Sequence, residues 1–115
     1  MARSHYYLSI ADLARARGSD PRFSFSGVGP ADFAAALQQA LRGADLFDRW
    51  RAVQPDPEAV DASLGATDPK AEVNAKVSDL HIDVEVLTTL PMSVVRLRLN
   101  LLIGHAWQLR DIRSA

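Results

Sequence analysis

His81, Asp83 and Glu85 occupy alternate positions in the run His81-Ile82-Asp83-Val84-Glu85. Successive side chains of an extended strand point to opposite sides, so this spacing gathers all three on one face. Imidazole and carboxylate together suit a transition metal. A His-x-Asp pair with a distant second histidine is the donor set of a two-histidine, one-carboxylate iron site. His105 supplies that histidine, which makes His81, Asp83 and His105 the candidate metal ligands. Against this stands Arg96-Leu97-Arg98, whose guanidinium groups the strand register derived below sets opposite Glu85 and Asp83. Cations there neutralise the carboxylates and repel a metal ion. The expectation is therefore a salt-paired strand with no metal and no cofactor. Asp83, Glu85, Arg96 and Arg98 then make up a charged interaction face. The alternative is a small metal- or ligand-binding enzyme centred on His81, Asp83 and Glu85.

Other chemistry is thinner. Nucleophilic catalysis needs a base beside an activated hydroxyl. Ser4-His5, Ser24 and Ser26 supply the residue types, but no Gly-x-Ser-x-Gly elbow surrounds them. Gly27-Val28-Gly29-Pro30 precedes a strong helical pattern, a place where backbone N–H groups can hold phosphate. Its spacing matches neither the dinucleotide nor the P-loop fingerprint, Pro30 lacks a donor, and Asp32 puts negative charge where an anion would sit. It reads as a turn and a helix start. Cysteine is absent, which excludes disulfides, thiolate metal sites and cysteine nucleophiles.

The chain carries 13 Lys+Arg against 14 Asp+Glu, a formal charge of −1, so no general attraction to nucleic acid or an anionic membrane is expected. That balance hides an uneven spread. Residues 56–85 hold eight acids and two lysines, whereas 86–115 hold four arginines and one acid. Arg96, Arg98, Arg110 and Arg113 could follow a phosphate backbone, but single-strand readers also present stacking aromatics. Trp107, Tyr6 and Tyr7 are expected in the core instead. A protein partner or a homo-oligomer fits better than nucleic acid or membrane.

These side chains need elements to position them, and 115 residues suit a single domain over 1–115. Alternation over 5–10 and 23–26 predicts short N-terminal strands. Pro30, the stripe Phe33, Ala36, Leu37, Ala40 and Leu41, and Gly43 predict a helix over 31–42. A second is expected over 45–53, with Leu46, Trp50 and Val53 on one face and Phe47 partly exposed. Asp56-Pro57 and Gly65 bracket a candidate third over 57–64. Val73, Ala75 and Val77 favour a strand at 71–77. The C-terminal third predicts a meander with strands at 80–87, 94–103 and 106–112. Closing the first turn at 89–92 puts Val95, Leu97, Leu99, Leu101 and Ile103 on the apolar side of 80–87. The same register opposes Glu85 to Arg96 and Asp83 to Arg98. The fold class is α+β: an antiparallel sheet with two to three helices packed on one face.

No apolar run of signal-peptide length opens the sequence, and the most apolar stretch, 94–103, is too short and too charged to span a bilayer. A cytoplasmic location is expected. With no catalytic signature, the expected function is a bacterial-type interaction or accessory module working through a sheet edge or the charged face. A structural subunit of a larger assembly is the remaining alternative.

Overall fold

The period of two at 80–87 is realised as a strand, β3 (His81–Thr88), in the computed structural model, which describes residues 2–115. Its Ile82, Val84, Val86 and Thr88 are buried, while His81, Asp83, Glu85 and Leu87 alternate with them and stay partly exposed. β3 pairs antiparallel with β2 (Glu72–Ser78) on one side and with β1 (Ser4–Ile10) on the other. The last strand, β4 (Gln108–Ser114), pairs antiparallel with the far edge of β1, so the sheet order is β2-β3-β1-β4. Three helices complete the α+β fold: α1 (Pro30–Arg42), α2 (Asp45–Ala52) and α3 (Met92–Ile103).

One apolar cluster joins the two layers. Tyr6, Leu8, Ile10, Val73, Val84 and Val86 come from the sheet. Phe33, Leu37 and Leu41 of α1 and Val95, Leu99 and Ile103 of α3 meet them. The shortest dimension, 19 Å, is that of one helical layer on one sheet. The expected stripe of α1 is the buried one, Pro30 is its first residue, and the Asp32 carboxylate accepts from the Gly29 N–H at 3.2 Å. That carboxylate occupies the place a phosphate would take. Among the described residues, no helix is long and apolar enough to cross a membrane.

The strand expected over 94–103 is helical. Val94, Val95, Arg98, Leu99, Leu102 and Ile103 are buried, a spacing that follows 3.6 residues per turn. Leu97 and Leu101, which strand alternation would bury, are only half-buried. Leucine and arginine are strong helix formers. Pro91 precedes the first turn, and Gly104 closes the last at φ 63°, where L side chains are strained. A β-carbon on Gly104 would also lie 3.0 Å from the Arg17 carbonyl oxygen. The pairing of Arg96 with Glu85 and of Arg98 with Asp83 therefore does not exist.

Three smaller differences follow from packing. Residues 23–26 form no strand of the sheet. Phe23 and Phe25 are both buried, and the Phe25 N–H donates to the Leu102 carbonyl at 2.8 Å. The third helix is replaced by two short 3₁₀ turns, Pro57–Ala59 and Ala62–Gly65. Phe47 is buried rather than partly exposed, seated against Gly65 and beneath Arg98.

Candidate functional site

The side of the sheet away from the helices is polar. Its rows run Lys76, Asp83, Ser9; then Asn74, Glu85, Tyr7, Asp111; then Glu72, Leu87, His5, Arg113. His5 and Tyr7 stack with ring centroids 4.3 Å apart, and the Arg113 guanidinium lies 5.2 Å from the Tyr7 ring centre. Glu85 comes within 3.9 Å of His5 Nε2. Asp83 accepts from or faces His81 Nε2 at 2.9 Å. Arg113 donates to Asp111 at 2.8 Å and holds that carboxyl below its ordinary value.

Of the expected interaction face, only Asp83 and Glu85 lie together here. Arg96 stands on the exposed side of α3, and Arg98 is fully buried. The expected metal ligands separate as well. His81 and His105 border one groove, but Asp83 opens onto the neighbouring face, and the described residues contain no group of three side chains able to hold a metal ion. His81–Asp83 is the orienting half of an acid–base relay. No described hydroxyl hydrogen-bonds to His81, so the other half is missing.

The groove has a volume of about 410 Å³ and runs along the end of the sheet where β1 leaves and β4 begins. Arg15, Arg110, His81 and His105 give it a basic lining, with Trp107 as an aromatic wall. The Trp107 indole donates to Asn100 Oδ1 and to the Gly104 carbonyl, both at 3.1 Å, which fixes the ring. Asp12, the acid in the groove, is engaged by Arg15 at 3.6 Å. Arg110 donates to Ser9 Oγ at 2.9 Å.

Two charged groups, Arg98 and Asp68, are buried, which no sequence pattern indicates. Arg98 donates to the carbonyls of Ala40 at 3.1 Å, Leu64 at 2.6 Å and Ala66 at 3.1 Å, and it sits 5.2 Å from the Phe47 ring centre. Ala40 belongs to the last turn of α1, where carbonyls lack intrahelical partners and the helix dipole is negative. Burial lowers the pKa of Arg98, and the charge of Asp48 opposes that shift. Asp68 accepts from Thr88 Oγ1 at 2.8 Å and from the N–H groups of Thr89 and Lys70 at 3.1 and 3.0 Å. Burial penalises its charge. Those hydrogen bonds and Arg3 outweigh the penalty and hold its pKa below 3.8. Both groups tie loops to the core, away from the open surfaces.

The two edges of the sheet differ. At β2, Gln38 Oε1 of α1 accepts the Val73 N–H at 3.1 Å, and Arg42 donates to the Ala71 carbonyl just before the strand. At β4 all seven residues are exposed. Leu109 and Ile112, which pair with the buried Leu8 and Tyr6 and so face the helical side, remain 37% and 48% accessible. No family model, curated protein or solved structure matches the chain.

Proposed function

We propose that the protein is a small, single-domain, non-enzymatic interaction module of the cytoplasm, with β4 as the strand that takes up its partner. One observation carries this reading: β4 is at once an unpaired edge and an uncovered apolar surface. Open strand edges offer unmet N–H and C=O groups to another chain, and proteins ordinarily blunt or cover them. α1 covers the start of β2 in that way, through Gln38 and Arg42, whereas β4 is exposed along its whole length. A partner strand laid along β4 gains the backbone ladder and shelters Leu109 and Ile112 in the same step.

The test compares the wild-type chain with Leu109→Asp/Ile112→Asp, whose substitutions fall on exposed positions. Capture of binding proteins is combined with hydrogen exchange of the captured complex. The expected result is a complex that protects the β4 amides and is lost in the variant. Equal capture by both chains, or protection confined to another surface, refutes the reading.

A second reading, a site for a small anionic molecule, is supported by the groove where Arg110, Arg15, His81 and His105 converge. Inorganic phosphate or acetate titrated into the protein is expected to move the His81 and His105 ring resonances in the wild type and not in Arg110→Gln. Unmoved resonances in the wild type dispose of it.

A further inference from the structure

The β4 pairing partner can be named from the strand's own irregularity. Between Tyr7 and Leu8 the β1–β4 register slips: Leu109 pairs with Leu8 and Asp111 with Tyr7, leaving Arg110 as an extra residue. Arg110 reaches Ser9 Oγ on the polar side of the sheet, and Asp111 lies beside Tyr7 on that same side. Two consecutive residues therefore share one face, as at a β-bulge. Leu109 before them and Ile112 after them share the other.

We propose that the occupant of the β4 edge is a second copy of this chain. The two β4 strands run antiparallel about a two-fold axis, with Arg110 opposite Asp111 of the other copy. This rests on the reading of β4 as the docking strand. In a regular strand, adjacent residues face opposite sides, so a two-fold pairing that opposes neighbours in sequence mismatches every face. The bulge removes that obstacle. With Arg110 opposite Asp111, Leu109 falls opposite Ile112 on the apolar side, and symmetry makes each pairing twice. Opposite charges meet on the polar side and apolar side chains meet on the other. Slipping the register by one residue in either direction sets Arg110 against Arg110 or Asp111 against Asp111, and it opposes Leu109 to residues of the polar face. Arg110 also enters no ion pair within its own chain among the described residues; its hydrogen bond goes to a neutral hydroxyl. The two four-stranded sheets become one of eight strands, in which both β4 edges are covered and a β2 strand stands at each end.

The chain contains no cysteine, so a register can be read by single introduced thiols. Leu109→Cys mixed with Ile112→Cys is expected to form a disulfide-linked heterodimer about tenfold faster than either variant alone, because only that pair sits directly opposite. Sedimentation supplies the second arm. Arg110→Asp and Asp111→Arg each place like charges opposite one another twice and are expected to weaken self-association about tenfold. The double swap restores it, and so does mixing the two single variants. Circular dichroism checks that each variant folds. A wild-type chain that stays monomeric at the highest concentration sedimentation allows overturns the second-copy proposal, as does cross-linking no faster in the mixture than in its parts. If self-association fails while Leu109→Asp/Ile112→Asp still abolishes capture of a different protein, β4 remains a docking strand and only the second copy falls. If that double variant associates as the wild type does, both ideas fall together.

Discussion

Arg98 and Arg110 carry the same side chain into opposite surroundings. Arg98 is sealed between α1, α3 and the loop at 64–66, its donors spent on three carbonyl oxygens. Arg110 stands on an exposed strand with a hydroxyl for company. The acids divide in the same way: Asp68 is buried and accepts three hydrogen bonds, whereas Asp111 is exposed and held by Arg113. The charge that specifies the fold is thus held by backbone dipoles and buried hydroxyls. The charge left for a partner sits on bare sheet. Ion pairs at the surface contribute little to stability, whereas removing a buried partner leaves unmet polar groups in a dry interior.

The largest effect is expected at Arg98. Arg98→Ala deprives three carbonyls of their donors and opens a cavity beside Phe47, with an expected loss of about 3–5 kcal/mol in chemical denaturation. Arg98→Lys keeps the charge but cannot spread donors over three separated oxygens, and it is expected to recover only part of that loss. If Arg98→Ala unfolds at the same denaturant concentration as the wild type, the buried arginine is not an anchor and the division fails.

Asp68 makes stability depend on pH. Its native pKa lies below the ordinary 3.8, so the native state binds fewer protons than the unfolded chain in the acid range. The stabilisation is fully present above the unfolded value and is lost as pH falls through the lowered native one. Asp68→Asn carries no charge to lose. It is expected to cost about 1–3 kcal/mol near neutral pH, with the gap to the wild type narrowing on acidification. A gap that is constant with pH would show that the carboxylate's charge contributes nothing.

These two anchors also mark what the sequence could not disclose. Strand β3 and helix α1 follow from periodicity, because their apolar residues repeat without interruption; in β4 the bulge at Arg110 breaks the alternation between Leu109 and Ile112. The segment 92–103 is different: its apolar residues satisfy a period of two, through Val95, Leu97, Leu99, Leu101 and Ile103. They satisfy a helical stripe equally well, through Val94, Val95, Leu99, Leu102 and Ile103. The period of two and the charge match of Arg96 and Arg98 to Glu85 and Asp83 favour the strand, while Arg98 occupies the one buried position where the helical stripe is charged. Its partners are carbonyls rather than a carboxylate, and carbonyls leave no mark in a sequence. The bracketing Pro91 and Gly104, and a run of twelve residues where strands average five or six, were the available signals for a helix. At the candidate site the outward direction of Asp83 and Glu85 was legible from alternation. The pairing of β4 with β1, which separates Asp83 from His105 and leaves Leu109 uncovered, was not. That pairing joins segments from opposite ends of the chain, and no local pattern reports it.

The smallest effect belongs to Asp83. It shares a strand with Val84, which is buried, yet its own carboxylate reaches only His81 across open surface, both side chains nearly two-fifths exposed. Asparagine keeps the shape and one acceptor oxygen for the imidazole. Asp83→Asn is therefore expected to shift stability by no more than about 0.5 kcal/mol in either direction in thermal or chemical unfolding. Self-association measured by sedimentation should be equally indifferent, because Asp83 lies two strands from the free edge of β4. A loss as large as that of Asp68→Asn would mean that the polar face is itself holding the sheet together. The contrast between interior anchors and a surface left free for a partner would then have to be abandoned.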